Sequence, residues 1–337
     1  MLGLALSGGG FRATLFHLGS LMRLNEAGLL SKVDEFTSVS GGSITSAWLA
    51  VNWDQLQFDN AGVAGNLDDV IIQPLREFCG RTIDVGIILG GIIHPVRHPS
   101  QILINNYRKH LFGDKTLQDL PVSPRFTIYA TSLQTGASVR FTREYLGEYH
   151  LGKIKNPQNL IAQAVAASSA FPPPLCPVKV ECDPNAWSKS SISDLHDDEY
   201  LKKVMWLGDG GIYDNLGLER LSKKCDRILV SDAGAPFGVD RKMKATRFSQ
   251  LARTKRTLDI MSEQVRALRT RQLIQQFIKG EKSGAYWGIG TRIGEYPITE
   301  KGLGNSLVTD NDTTREIAGM RTRLNKFDGT EQAKLIN

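Results

Sequence analysis

Two glycine-rich turns, each following a short apolar run and each opening a helical pattern, constrain this chain more than any other feature. The first lies in "LALSGGGFRATLFHLGSL", Leu4 to Leu21. There a run over Leu2 to Leu6 ends at three glycines, and Phe11, Leu15, Leu18 and Met22 then recur at spacings that share one helix face. Gly28 is placed to end that helix. The second lies in "EFTSVSGGSITSAWLAV", Glu35 to Val51, where β-formers meet Gly41 and Gly42 before another helical stretch. Repetition of strand, glycine turn and helix predicts neighbouring strands whose turns share one edge of a sheet.

The alternation continues. "RFTIYATS" (Arg125 to Ser132), "SVRFT" (Ser138 to Thr142), "VMWLG" and "RILVSDAG" (Arg227 to Gly234) have strand character, and helical patterns lie around Leu67 to Cys79, Gln101 to Phe112, Asn156 to Ser168 and Arg247 to Lys279. The prediction is an α/β layered fold with a largely parallel central sheet. With 337 residues, no internal repeat and no low-complexity linker, the chain is expected to form one domain, residues 1–337. Its core covers about 2–237, and a basic, mainly helical extension, 241–337, packs on or beside it. Asp183 to Tyr200 is expected to be a surface excursion.

Cys79, Cys176, Cys182 and Cys225 form no CxxC pair and no zinc-type spacing; with no signal peptide in view, a reducing, cytoplasmic setting is expected. The net charge of +6 is mild, but twelve basic residues stand against three acidic ones from Arg241 to Lys282, a local net of +9. Such a stretch suits anionic lipid headgroups, nucleic acid or a solvated helix face. "VGIILGGII", Val85 to Ile93, is too short to span a bilayer; it fits a buried segment or an interfacial patch.

Three chemistries can use "SGGGFRA". A phosphate loop of the GxxxxGK[ST] type needs a lysine and hydroxyl that are absent here. A dinucleotide fingerprint is matched in letters by Gly8, Gly10 and Ala13, yet the acids at the right distance, Asp34 and Glu35, precede the next strand instead of ending it. An oxyanion hole uses backbone N–H groups at a helix start, where the helix dipole and Arg12 add positive potential. That reading requires a nucleophile nearby.

"SVSGGS", Ser38 to Ser43, supplies one: Ser40 stands where a G-x-S-x-G elbow places its serine, with Gly42 as the last glycine, Gly41 adding room and Ser38 in place of the first. A serine hydroxyl needs a base. None of the six histidines, His17, His94, His98, His110, His150 and His196, has a setting that singles it out. A partly desolvated carboxylate can serve instead. In "WLGDGGIYDNLGLERL", Asp209 follows a short apolar strand and precedes Gly210 and Gly211; Asp214 and Asp232 compete with it, Asp214 being suited to capping the next helix.

In order and approximate spacing, "SGGGFRA", "SVSGGS" and "GDGGIYDNLG" resemble the patatin-like and cytosolic phospholipase A group. "ASSAFPP", "TSLQTGASVRF" and "SDAGAPF" resemble further segments of that group, so the likeness spans about Leu2 to Phe237. It implies a three-layer patatin-like fold and a serine–aspartate dyad without histidine, with Ser40 as nucleophile and Asp209 as base. Gly8, Gly9 and Gly10, with Arg12, are implied as the oxyanion-hole segment, and Gly41, Gly42, Gly210 and Gly211 as its supporting turns. The implied activity is cleavage of fatty acyl esters from membrane phospholipids by a cytoplasmic, peripherally membrane-associated hydrolase without metal or diffusible cofactor. The implied partner is the phospholipid surface, not nucleic acid; an activating partner or signal, as for a regulated bacterial effector, fits the group but is not identified by the sequence. A soluble carboxylesterase or thioesterase would share the dyad, and a non-catalytic lipid or nucleotide binder would share only the loop.

Overall fold

A computed structural model describes residues 1–83, 99–172, 175–239, 241, 250–295 and 309–337. Its frame is an 11-stranded sheet of β1 (Leu2–Leu6), β2 (Glu35–Val39), β3 (Arg125–Ser132), β4 (Ser138–Phe141), β5 (Tyr145–Glu148), β6 (Gly152–Lys155), β7 (Val178–Glu181), β8 (Trp187–Ser188), β9 (Val204–Asp209), β10 (Arg227–Asp232) and β11 (Ser283–Gly288). The centre, in the order β11-β10-β1-β2-β3, is parallel, as the strand–turn–helix alternation predicts. Beyond β3 the sheet continues antiparallel through β4, β5, β6 and β8.

Side chains along β1 separate the two faces. Leu4 and Leu6 enter a core with Phe11, Leu15 and Leu18 of α1 (Gly10–Glu26) and Ile44 of α2 (Gly41–Val51). Ala5, pointing the other way, joins Leu221, Ile228, Val230 and Leu273. The helices Glu219–Lys224 and Gln250–Ile278 cover this second face, so helix, sheet and helix form three layers. Burial on both faces is why β1 is an unbroken apolar run with no polar alternation. At the far end of α1, Gly28 has φ +62; its N–H bonds Asn25 O at 2.8 Å while that of Leu29 bonds Leu24 O at 2.8 Å. These two bonds make a Schellman end, for which glycine is suited.

The basic segment becomes a 29-residue helix, Gln250–Ile278, and several of its cations are turned onto the protein. Arg266 pairs with Asp232 at 2.8 Å, Arg269 lies 3.4 Å from Asp214, and Arg256 stacks over the Phe237 ring and donates to the Gly238 carbonyl at 2.6 Å. Lys242, Lys244 and Arg247 lie outside the described residues, as does the Val85 to Ile93 run. All four cysteines are free. Among the described residues no helix is long and apolar enough to cross a membrane.

Candidate active site

The two glycine turns converge because β1 and β2 run parallel and end together, Leu6 paired with Ser38. The helix starts are pressed against each other: a Cβ on Gly41 would stand 2.0 Å from the Gly10 carbonyl oxygen, and one on Gly42 would stand 2.4 Å from that of Leu6. No side chain fits there. Gly9 and Gly10 have φ of +151 and +59, backbone that L-residues rarely adopt. The Gly8 N–H is bonded to Asn215 O at 3.0 Å, whereas among the described residues no protein acceptor takes the N–H of Gly9 or Gly10.

Ser40 occupies the turn with φ 51 and ψ −121. A non-glycine residue in this region is strained, and the surroundings must hold it. Its N–H donates to Ser168 Oγ at 2.9 Å, and its carbonyl accepts the Ser43 N–H at 2.9 Å. Ser168 and Ser43 share a hydroxyl hydrogen bond of 2.8 Å, and Ser43 Oγ donates to Ser38 Oγ at 3.1 Å. Ser38, standing where an elbow more often has glycine, therefore contributes an acceptor behind the turn.

Asp209 arrives along the edge of β3 that β2 leaves free. The last residue of β2, Val39, pairs with Tyr129; the last residue of β9, Asp209, pairs antiparallel with Ala130. One strand exits and the other enters at adjacent positions, so the residue after β2, Ser40, meets the end of β9. The Asp209 carboxylate accepts the Gly211 N–H at 2.7 Å, and the nearby Ser40 hydroxyl also favours its charged form. Asp209 is 2% exposed; burial pushes its carboxyl up to about 7, against the opposing pull of these two groups. The segment 168–170 ties both halves together: Gly210 N–H bonds Ser168 O at 3.1 Å, and Asp209 N–H bonds Ala170 O at 3.0 Å. A Cβ on Gly210 would lie 2.6 Å from Tyr129 O, and one on Gly211 2.6 Å from Asn215 Oδ1.

The rival carboxylates, and His17, His150 and His196, are engaged elsewhere. Asp214 accepts the N–H groups of Leu216 and Leu218 at 3.1 and 2.9 Å; it orders the turn ahead of helix Glu219–Lys224 but does not cap it, the N-cap residue being Leu218 with no side-chain cap bond. Asp232 is fully buried and accepts from Gly234 N–H at 2.8 Å, Arg266 at 2.8 Å and Tyr286 OH at 2.6 Å. His17 is held between Ser231 Oγ at 2.8 Å and Ser7 O at 2.9 Å, and burial lowers its pKa to about 4. His150 pairs with Asp194 at 2.6 Å, and His196 with Leu151 O at 2.7 Å. His94 and His98 lie outside the described residues.

Arg12 is buried beside the loop. Its guanidinium donates to Met320 O at 2.8 Å and Ala233 O at 2.7 Å, and burial lowers its pKa to about 10. It acts on the loop as a brace and a nearby positive charge. Above these groups opens a cleft of about 520 Å³. Phe171, Pro172 and Leu175 supply an apolar wall, and Asp259, Glu263 and Arg266 of the long helix a charged one. Among the described residues no group of three or more His, Cys, Asp or Glu is placed to hold a metal ion.

Sequence reasoning names the glycines, Ser40 and Asp209 but gives no role to Ser168, Ser43, Ala170 or Asn215. The only available signal was the run of small residues in "ASSA", which lets helix Ile161–Ser168 pack closely enough to present Ser168.

Human GIVD cytosolic phospholipase A2 is 14% identical to this chain, with a TM-score of 0.44 over 69% of this chain and 42% of that one. VipD from Legionella pneumophila is 18% identical, with a TM-score of 0.37 over 99% of this chain and 66% of VipD. A structure of full-length SpcU with full-length ExoU, from the type III secretion system of Pseudomonas aeruginosa, gives 16% identity and a TM-score of 0.26. The chain spans less than half the length of the human phospholipase that it matches. No curated protein matches its sequence. The model of the patatin-like phospholipase family matches residues 4–222, from the first strand past both glycine turns and the "DGG" motif, and the chain therefore belongs to that family.

Proposed function

We propose that this protein is a lipid acyl hydrolase that releases fatty acids from phospholipids through a Ser40–Asp209 dyad. The observation that carries this reading is the register that ends β2 and β9 at adjacent residues of β3, so that Ser40 meets a buried carboxylate whose pKa stands near 7. At neutral pH such a group is an effective general base. Asp209 takes the Ser40 proton as Oγ attacks the ester carbonyl, and the Gly9 and Gly10 N–H groups receive the developing oxyanion. Collapse of the intermediate expels the lysolipid alkoxide, which takes the proton back from Asp209, leaving an acyl-serine. Water, deprotonated by Asp209, then releases the fatty acid and regenerates Ser40.

The strained φ of Ser40 supports the same reading, because it holds Oγ toward the cleft and not along the strand. The apolar wall suits an acyl chain. Docking on an anionic bilayer falls to exposed basic residues of the long helix and its end, such as Arg271 and Lys279, whose partners, the Ala267 carbonyl and Glu281, lie on the same surface. The test is fatty acid release from phospholipid vesicles by wild type, Ser40→Ala and Asp209→Ala. Both variants are expected to lose at least 10³-fold in rate; wild-type rates in both would overturn the dyad. Equal or better turnover of dissolved short-chain esters, with no response to bilayers, would favour a soluble esterase.

A further inference from the structure

We propose that residues 320–324, outside the family-matched region, form a strap that sets which backbone amides of the glycine loop are free to act. This rests on the acyl hydrolase reading above. The first N–H groups of a helix have no partner within it, so the start of α1 offers several donors at one point. The structure distributes them. The Phe11 N–H is taken by Arg323 O at 3.0 Å, while among the described residues no protein acceptor takes those of Gly9 and Gly10. The strap therefore removes one donor and leaves two neighbours.

The contact is close and backbone to backbone. A Cβ on Gly10 would meet Arg323 O at 2.8 Å and its C and N at 3.0 Å, while Gly41 presses on the Gly10 carbonyl from the other side. Gly10 is thus gripped between strap and elbow, and its amide direction is fixed by both. Two residues on, Arg12 reaches Met320 O at 2.8 Å. The strap is itself anchored: Ile83 N–H bonds Leu324 O at 3.0 Å and Phe327 N–H bonds Cys79 O at 3.0 Å. Leu324 and Phe327 are buried in the main core. The free side of the strap, at Thr322 and Arg323, faces solvent and lines the cleft.

Two measurements on the full-length chain test this. Amide hydrogen exchange should show Phe11 protected and Gly9 and Gly10 exchanging fast; a Phe11 amide exchanging as fast as Gly9 would overturn the proposal. Deleting Thr322 shifts the Arg323 carbonyl off Phe11 but keeps the buried anchors. The expected result is faster Phe11 exchange and a kcat on a soluble chromogenic ester lower by about 100-fold, with KM within about threefold, as for loss of oxyanion stabilisation. Insertion of two glycines after Arg321 serves as a second variant if the deletion does not fold. Faster Phe11 exchange with wild-type kcat in either variant also overturns the proposal. If wild type hydrolyses no ester faster than Ser40→Ala, the hydrolase reading fails instead, and the exchange pattern still decides whether the strap holds Phe11.

Discussion

Tyr129 and Ala130 are consecutive residues of β3 that pair, along one edge, with two different strands: Tyr129 with Val39 at the end of β2, and Ala130 with Asp209 at the end of β9. The parallel strand delivers Ser40 and the antiparallel strand delivers the carboxylate. Their meeting is a property of the sheet's hydrogen-bond register, and a shift of either strand by one residue would turn its side chains to the other face.

Activity should depend on the ionisation of Asp209. A base with a pKa near 7 works only when deprotonated, so kcat/KM for a non-ionising ester should rise with pH and level off above about 8. Its midpoint should be near 7, and this ascending limb reports the free enzyme. A flat profile from pH 5 to 8 would remove Asp209 as the base.

The same burial makes Asp209 a liability for folding. Its pKa is raised in the fold above the ordinary aspartate value of 3.8, so the native state holds the proton more tightly than the unfolded chain. The stability this group contributes is full below about 3.8 and is lost as pH rises through about 7. Asp209→Asn, which on the proposed mechanism should abolish turnover, should raise Tm by several degrees at pH 8. The gain should shrink steadily toward pH 4, as followed by thermal melts across that range.

Ser168→Ala removes the acceptor of the Ser40 N–H and the partner of Ser43 Oγ. A buried donor left unsatisfied costs about 1–3 kcal/mol, so the melting temperature should drop. The loosened Ser40 turn should lower kcat by about tenfold without a change in the pH midpoint. A stable variant with full kcat would show that the elbow holds its strained conformation without Ser168.

Two arginines of the long helix should behave differently. Arg266→Ala leaves Asp232, fully buried, without its ion-pair partner, and breaking a buried pair from one side costs about 3–5 kcal/mol. Arg271→Ala, at an exposed position, should stay within about 0.5 kcal/mol of wild type. Denaturant titrations of the two variants check this. If the helix also docks on bilayers, Arg271→Glu with Lys279→Glu should weaken sedimentation with anionic vesicles at low salt, with loss of the effect at high salt.

The turns, the serine and the parallel centre were legible because each rests on local chemistry: glycines where a Cβ would strike a neighbouring carbonyl, and apolar runs buried on both faces. Asp209 was legible from its own flanking glycines, but its route to Ser40 was not, since it depends on β9 taking over an edge of β3 far away in sequence. β6, "GKIK", alternates but over only four residues, and β11, "SGAYWG", carries little alternation; both are held by their neighbours. The engagement of Arg256, Arg266 and Arg269 could not be read either, because a basic run does not show which of its charges find internal partners.

The division of the proposed dyad between β2 and β9 has a consequence for synthesis and refolding. Ser40 leaves the ribosome long before Asp209, and residues 320–324 follow later still. A nascent or partly refolded chain can therefore complete the glycine turns while lacking a base. Contacts of such long sequence separation form slowly, so refolding should restore helical signal well before esterase activity. On the proposed mechanism, the protein would stay harmless to nearby lipid until residues 320–324 are in place.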